Sequence, residues 1–418
     1  MSDTTAIIHA TLVDGTGRDP VRDATVVIEG ERIASIAAGG AAPRDARVID
    51  AAGRTLLPGL IDCHVHLFGR TAPLQDRLLT PQSLELFYSA QNARRTIDAG
   101  FTTVRDAGGA PLGFKMAIDQ GIIPGPRTRI SVVALSQTGG HIDQTLPSGV
   151  DPRDLAMGGF GPEWPDCIVD NPDGIRKAVR SVLRAGADFI KLCTTGGVLS
   201  PADEPTHTQY TVDEIAVMVE EARAAGKTCM AHAHGADGIK NALRAGVESI
   251  EHGTHLDDEA IALMLEKRAF LVPTMTASAW LLRYEERAPG SILPQSVRKA
   301  RESIEIRRAS FRRAVEAGVR IAMGTDSGVG PHGRNAGEIA LMVECGMTPM
   351  QAIVASTKTA SECVHMADDI GTVEAGKLAD LILVDGDPLD DIGVLLDRAR
   401  IPLVMKGGAD HRDVTAGA

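Results

Sequence analysis

Aromatic side chains are scarce, at 3% of the sequence, so the positions of its two tryptophans carry weight. Cysteine offers no framework either: Cys63, Cys167, Cys193, Cys229, Cys345 and Cys363 are scattered, with no Cys-x-x-Cys pair. That spacing argues against a disulfide-stapled fold and fits a reducing compartment. Positive charge is not in excess. The formal net charge of -12 argues against nucleic acid or an anionic membrane as the main partner. No apolar run is long enough to cross a bilayer, and Met1 to Ala6 lacks a basic stretch followed by a long apolar one, so a cytoplasmic location is expected. A repeat of fixed longer period is also missing, which disfavours a solenoid. Disorder is not expected, because 44% hydrophobic and 23% charged residues are ordinary for a globular protein.

What is present suits one large domain with one small one, over 418 residues. Up to about Ala52 the chain reads as short strands and tight turns. Ala6 to Val13 is one strand, and Thr25 to Glu29 with Arg32 to Ala37 make a hairpin around Gly30-Glu31. Gly371 to Asp385 and Pro402 to Lys406 have the same character. The expectation is a small β-sandwich domain formed by both ends of the chain, residues 1–56 with 371–418. Between them, over 57–370, short apolar strands alternate with helices. The strands are Leu57 to His66, Gly100 to Asp106, Arg129 to Leu135, Ala187 to Cys193, Lys227 to His232, Val247 to His252, Ala269 to Pro273 and Val319 to Asp326. Eight such strands predict an α/β protein built on a (β/α)8 TIM barrel. One helix is marked at both ends: Thr211 and Glu214 make a capping box, Ile215, Met218, Val219 and Ala222 an apolar face, and Gly226 a stop. Two segments read as long loops, 136–172 with Trp164 and 274–294 with Trp280 and Tyr284. On the barrel face such loops act as lids or substrate walls; an aromatic there equally serves to anchor the loop.

The run Leu57-Pro58-Gly59-Leu60-Ile61-Asp62-Cys63-His64-Val65-His66 ends in His-x-His. On a strand, the period of two puts His64 and His66 on one face, close enough to grip one metal ion. Alone, the pair is equally a buried strand whose histidines find hydrogen bonds. The other strand ends break the tie. Lys191, His232, His252 and Asp326 join the pair where parallel barrels gather functional groups. Lys191 lies in an apolar strand, where an ammonium is costly unless paired, with Asp326 or Glu251 as available partners. Near two metal ions its proton is readily lost. The neutral amine can then combine with carbon dioxide into a carbamate, a carboxylate long enough to bridge both. Cys63 should face away from the metal by alternation.

With Pro58-Gly59-Leu60-Ile61-Asp62-x-His64-x-His66, Ile190-Lys191, Ala231-His232-Ala233-His234-Gly235, Ser249-Ile250-Glu251-His252-Gly253, Gly324-Thr325-Asp326-Ser327 and Gly376-Lys377-Leu378-Ala379-Asp380-Leu381, the chain resembles the amidohydrolase superfamily. Within it, the similarity is to the imidazolonepropionase-related group that includes Xaa-Pro dipeptidases and ochratoxin-hydrolysing amidohydrolases. It spans essentially the whole chain. The resemblance implies two divalent metal ions, with zinc expected and manganese or cobalt able to substitute. His64, His66 and Asp326 would hold the more buried ion, His232 and His252 the more exposed one, and carboxylated Lys191 would bridge them. A bridging hydroxide would attack an amide carbonyl, and Asp326 would carry its proton to the departing nitrogen. His232 and His234 share a face, so either could be the ligand; the resemblance favours His232 and leaves His234 for substrate. His141 is a candidate to contact a substrate carbonyl or carboxylate, or else a loop-structural residue. Tyr210 is a candidate donor to the developing oxyanion. Arg283 and Arg334 read as solvated surface residues sooner than as partners of a substrate carboxylate.

The reaction expected is hydrolysis of an amide next to a C-terminal amino acid, in a dipeptide or an N-acyl amino acid such as an ochratoxin-like compound. A homo-oligomer acting on a small-molecule amide is expected. One alternative is a hydrolase of a cyclic amide such as an imidazolone, or a deaminase; another is a catalytically dead scaffold. Relatives of the ring-opening kind usually work with one metal and no bridging lysine, and a dead scaffold typically loses ligands. Lys191 and the complete ligand set argue against both.

Overall fold

The computed structural model describes residues 4–69, 76, 79–146, 148–151 and 163–415. Residues 152–162, inside the long loop expected over 136–172, lie outside the described residues, as do 1–3 and 416–418 of the expected β-sandwich. No described helix is long and apolar enough to cross a membrane.

Five strands come first: β1 (Thr4–Leu12), β2 (Val21–Glu29), β3 (Arg32–Ala38), β4 (Arg47–Asp50) and β5 (Thr55–Pro58). β2 and β3 form the expected hairpin, with Glu29 opposite Arg32. Nine short strands follow: β6 (Leu60–Val65), β7 (Phe101–Asp106), β8 (Arg127–Ile130), β9 (Ala134–Leu135), β10 (Ile190–Cys193), β11 (Cys229–Ala233), β12 (Ser249–His252), β13 (Phe270–Val272) and β14 (Arg320–Ile321). They make a three-stranded sheet, β6 to β8, and a six-stranded sheet, β9 to β14, with every pair parallel. Parallel strands need crossovers, and helices supply most of them, so the α/β expectation holds. Finally β15 (Leu381–Val384), β16 (Leu403–Lys406) and β17 (Ala409–Asp413) return to the first five. β15 pairs antiparallel with β5 and β16, giving one eight-stranded sheet in the order β17-β16-β15-β5-β1-β2-β3 with β4 on β1. Alternating side chains from both ends of the chain, Ile7, Leu12, Val26, Ile28, Leu381, Leu383, Leu403 and Met405 among them, share one buried core.

The expected strand Leu57 to His66 is two strands. Leu57 and Pro58 pair with β15, whereas the parallel strand starts at Leu60. The break is Gly59, whose amide donates to Asp380 O at 2.8 Å. A Cβ there would fall 2.2 Å from Thr102 Oγ1, so only glycine lets the chain pass between the sheets at this point. The expected strand Arg129 to Leu135 is interrupted too, with Val132 at φ +67° between β8 and β9. Of Val319 to Asp326, only Arg320 and Ile321 join the ladder. Beyond them the backbone turns to β6: Cys63 N donates to Met323 O at 2.9 Å and Asp326 N to His64 O at 2.7 Å.

The segment 274–294, expected to be a long loop, is largely a helix, Thr276–Arg287. No local side chain caps it. Instead the buried Glu338 carboxylate accepts from Met275 N at 2.6 Å, Thr276 N at 2.8 Å and Thr276 Oγ1 at 2.9 Å. These bonds satisfy orphan amides of the first turn from a remote position. Trp164 is an anchor: its indole donates to Gly109 O at 2.9 Å and its ring packs on Phe68 at 5.2 Å. The capping box of Thr211 and Glu214 is formed, and the helix Val212–Ala224 buries Ile215, Met218, Val219 and Ala222. The long helix Pro294–Ala317 has an unusual inward face: Lys299, Ser303, Arg307 and Ser310 are buried beside Ala300, Phe311 and Ala314.

Candidate metal centre

Parallel strands end on the same side, so their last residues converge. The registers Cys193 with His232 and Ala233 with His252 place neighbouring strand ends level. Two overlapping groups of ligand atoms result, each within 4.8 Å: His64, His252 and Asp326, and His232, His234 and His252. His66 joins the first, with Nε2 3.2 Å from Asp326 Oδ1, while His64 Nε2 lies 3.6 Å from the same oxygen. Lys191 is 3% exposed, and its Nζ has no hydrogen-bond partner. Cys63 points elsewhere, with Sγ 3.6 Å from Ala360 O.

Strand alternation alone would not build this cluster. Glu251 and His252 are consecutive, yet Glu251 Oε2 lies 2.7 Å from His64 Nδ1 and the His252 ring lies 5.1 Å from the His64 ring. The left-handed backbone of His252, at φ +72°, turns both side chains toward His64. Thr274 at φ +48° and Asp326 at φ +60° are similarly bent. Such conformations cost about 1–3 kcal/mol each in a residue with a side chain, and persist where the surroundings dictate them.

The donor set suits a metal ion. Burial pushes the His64 imidazole down to about 4 and those of His232, His234 and His252 well below their usual value, so all four are neutral and carry lone pairs. Asp326 is ionised: burial opposes its charge, but the hydrogen bond from His66 and the positive charge nearby bring it down to about 2. The rings are also oriented. His64 Nδ1 donates to Glu251, and His66 Nδ1 to Gly108 O at 2.8 Å, which turns both Nε2 atoms toward the cluster; there the Asp326 carboxylate, against burial, holds the His66 imidazole above its usual value. His252 Nδ1 lies 2.6 Å from Thr274 Oγ1 and His234 Nδ1 2.7 Å from Thr254 Oγ1. His232 is reversed, with Nε2 donating to Gly196 O at 3.1 Å and Nδ1 left over. Beneath these contacts, Arg307 donates to Thr254 Oγ1 at 3.2 Å and to Thr274 O at 2.8 Å.

Behind the candidate ligands lies support that sequence reasoning missed. Arg105 donates to Glu251 Oε1 at 2.9 Å, to Cys63 O at 2.7 Å and to Ser249 Oγ at 3.1 Å. Burial alone would raise the Glu251 carboxyl, yet Arg105 and His64 hold it below its ordinary value. Asp62 ties the first parallel strand to the last: it accepts from His64 N and Thr325 N at 3.1 Å, Thr325 Oγ1 at 2.7 Å and Asn335 Nδ2 at 2.8 Å. Both carboxylates were visible, Asp62 in the Pro-Gly-Leu-Ile-Asp run and Glu251 before His252. Arg105 gave no signal. Glu251→Gln should weaken metal binding about 10–100-fold, the usual loss when an outer partner of a ligating histidine is changed. A metal titration against a chelator measures it, and an unchanged affinity would remove Glu251 from this role.

His141 belongs to the cluster: its ring stacks on His232 at 3.9 Å between centroids. Tyr210 is occupied otherwise. Its hydroxyl donates to Val169 O at 2.8 Å, so it braces the loop and has no proton left over for an oxyanion. Arg283 lies over the Trp280 ring at 4.8 Å, and a Cβ on Gly330 would meet that indole at 2.6 Å, so Trp280 packs against the loop that follows Asp326. Arg334 enters no side-chain contact with the cluster among the described residues.

The family model described as Amidohydrolase family matches residues 55–409. The ochratoxinase of Aspergillus niger is 34% identical over 421 residues, which cover 97% of this chain and 86% of the relative. A crystal structure of a Xaa-Pro dipeptidase with bound methionine in the active site aligns with a TM-score of 0.89 at 35% identity, covering 98% of this chain and 100% of that one. A prolidase complexed with N-methylphosphonate-L-proline gives a TM-score of 0.91 at 36% identity, with coverage of 98% and 100%. A match from the start of β5 into β17, and likeness to hydrolases along nearly the whole length, leave one assignment: this chain belongs to the amidohydrolase family.

Proposed function

We propose that this chain is a binuclear metal-dependent hydrolase that cuts the amide bond next to a C-terminal amino acid. The observation that carries the reading is Lys191, a buried amine without a hydrogen-bond partner that bears on both His64 and His232. A bare ammonium there would cost several kcal/mol. Burial already moves the amine below its usual value, toward the neutral form. That form can add to carbon dioxide with loss of one N–H proton, giving a carbamate with two oxygen donors. In this reading His64, His66 and Asp326 would hold one ion, His232 and His252 the other, and carboxylated Lys191 would serve both. Zinc suits imidazole and carboxylate donors.

When bound, the ions would supply hydroxide near neutral pH and polarise the carbonyl under attack. Asp326 takes the proton of the attacking oxygen at its carboxylate and hands it to the departing nitrogen. Because it starts ionised, it is an acceptor first and a donor only after the attack. His234, 4.7 Å from His252 between rings, is left to contact substrate. The Xaa-Pro dipeptidase and the prolidase with its proline derivative support a dipeptide, and the ochratoxinase supports an N-acyl amino acid of ochratoxin type. We read the two parallel sheets as one (β/α)8 barrel, joined through the hydrogen bonds between β6 and residues 323–326.

The test is a screen of Xaa-Pro and other dipeptides and of N-acyl amino acids with zinc-loaded protein, scoring the released amino acid beside metal analysis. About two ions per chain and release of a C-terminal amino acid are expected. About one ion, with turnover only of cyclic amides or amidines, would install the ring hydrolase or deaminase instead.

A further inference from the structure

The helix Pro294–Ala317 carries a guanidinium into the interior, on the same inward face as Ser303 and Ser310. Arg307 is 3% exposed, and it reaches two loops at once. Its Nε donates to Thr254 Oγ1 at 3.2 Å and its Nη1 to Thr274 O at 2.8 Å. Thr254 stands two residues beyond the end of β12, and Thr274 two residues beyond the end of β13. Each threonine hydroxyl in turn touches one imidazole of the cluster: Thr254 Oγ1 lies 2.7 Å from His234 Nδ1, and Thr274 Oγ1 lies 2.6 Å from His252 Nδ1. Those two rings are stacked, 4.7 Å apart at 14°. Ser310, further along the same helix face, donates to Thr254 O at 2.7 Å. Thr254 is therefore held at its hydroxyl and its carbonyl by one helix.

A guanidinium out of water is costly unless charges and hydrogen bonds compensate it, and a buried charge of this kind is a poor source of stability. Burial draws Arg307 down to about 10 against the charges of Glu338 and Asp326, so it stays charged at neutral pH. Glu338 meanwhile accepts from Met275 N and Thr276 N, the two amides that follow Thr274. The left-handed turn at Thr274, φ +48°, is thereby gripped from both sides, its carbonyl by Arg307 and the next amides by Glu338. We infer that Arg307 is a positioning residue of the candidate metal centre: through Thr254 and Thr274 it sets the spacing and tilt of the His234 and His252 rings, which stand at the ends of the paired strands β11 and β12. Its rigid fork, with donors aimed in two directions, suits that task as the point charge of a lysine does not. The part played toward the metal rests on the proposed binuclear centre, whereas the hold on the two rings does not.

The test compares the native protein with Arg307→Lys, which keeps the charge and loses the fork. In crystal structures the stack of His234 on His252 should open in the variant while the helix Pro294–Ala317 stays in place; an unchanged stack overturns the inference. Zinc affinity, titrated against a chelator, should fall about 10–100-fold, the usual loss when a group that orients a ligating histidine is changed. In a background of Thr254→Val with Thr274→Val both hydroxyl contacts are gone, and the same change should cost less than about two-fold, because residues acting in series are not additive. Equal losses in both backgrounds would show that Arg307 only supports the fold, against the positioning role. Should Arg307→Lys fail to fold, the two valine substitutions carry the test by themselves, since they remove a hydroxyl and keep the branched shape. Together they must open the stack and weaken zinc binding, and no effect on either overturns the inference. A native protein that binds no zinc, with a stack that opens in Arg307→Lys, supports the hold on the rings and counts against the binuclear centre.

Discussion

Asp326→Asn should lower kcat about 10²–10⁴-fold with little change in KM, the span usual for loss of a positioned acid or base. The substitution spares the backbone. Asp326 sits at φ +60°, a conformation that Asn tolerates nearly as well as Asp, so the backbone bend and the bond from its amide to His64 O survive. What is lost is the ability to take a proton, at a carboxylate now ionised down to about 2. Alanine at the same position would confound this loss with backbone strain. Kinetics at saturating zinc, with metal content measured on the same samples, decide the matter: an unchanged kcat would remove Asp326 from proton transfer.

The second large effect is expected at Lys191. Lys191→Ala should reduce the metal content from about two ions to about one, and lower turnover by more than the roughly 10–100-fold that follows loss of an outer partner. The vacated volume offers room for a short-chain carboxylic acid, which should restore part of the activity by standing in for the carbamate. The metal-free protein should lose little stability for a buried lysine, because no hydrogen bond is broken and a bare amine is removed from the interior. Elemental analysis with activity assays, and thermal unfolding of the metal-free forms, test both parts. A fully active variant with two ions would sink the carbamate.

The convergence of the candidate ligands was legible in the sequence because strand ends repeat with a period that pattern reading detects: His64 and His66 by alternation, His232, His252 and Asp326 by their places after apolar runs. What supports them was not. Arg105 and Glu251 are 146 residues apart, and nothing local in either says that they meet. Glu338 caps a helix 62 residues away, so Thr276–Arg287 lacked a visible start and read as a loop. Periodicity likewise cannot tell that Leu57 and Pro58 belong to one sheet and Leu60 to another, since Leu57 to Val65 are all buried whichever sheet they serve. The left-handed turn at His252 defeats alternation outright.

The eight-stranded sheet also imposes an order in time. β5 is flanked by β1 on one side and β15 on the other, with Leu56 opposite Leu383 and Pro58 opposite Leu381. During synthesis the first strands emerge long before β15, so until the last strands leave the ribosome β5 presents a row of unpaired amides and carbonyls, an invitation to pair with another chain. The strands that carry the histidine cluster begin two residues after β5, and their first anchor, Gly59 N on Asp380 O, also waits for that late arrival. Folding of this protein is therefore expected to be slow and concentration-sensitive, governed by closure across nearly the whole chain.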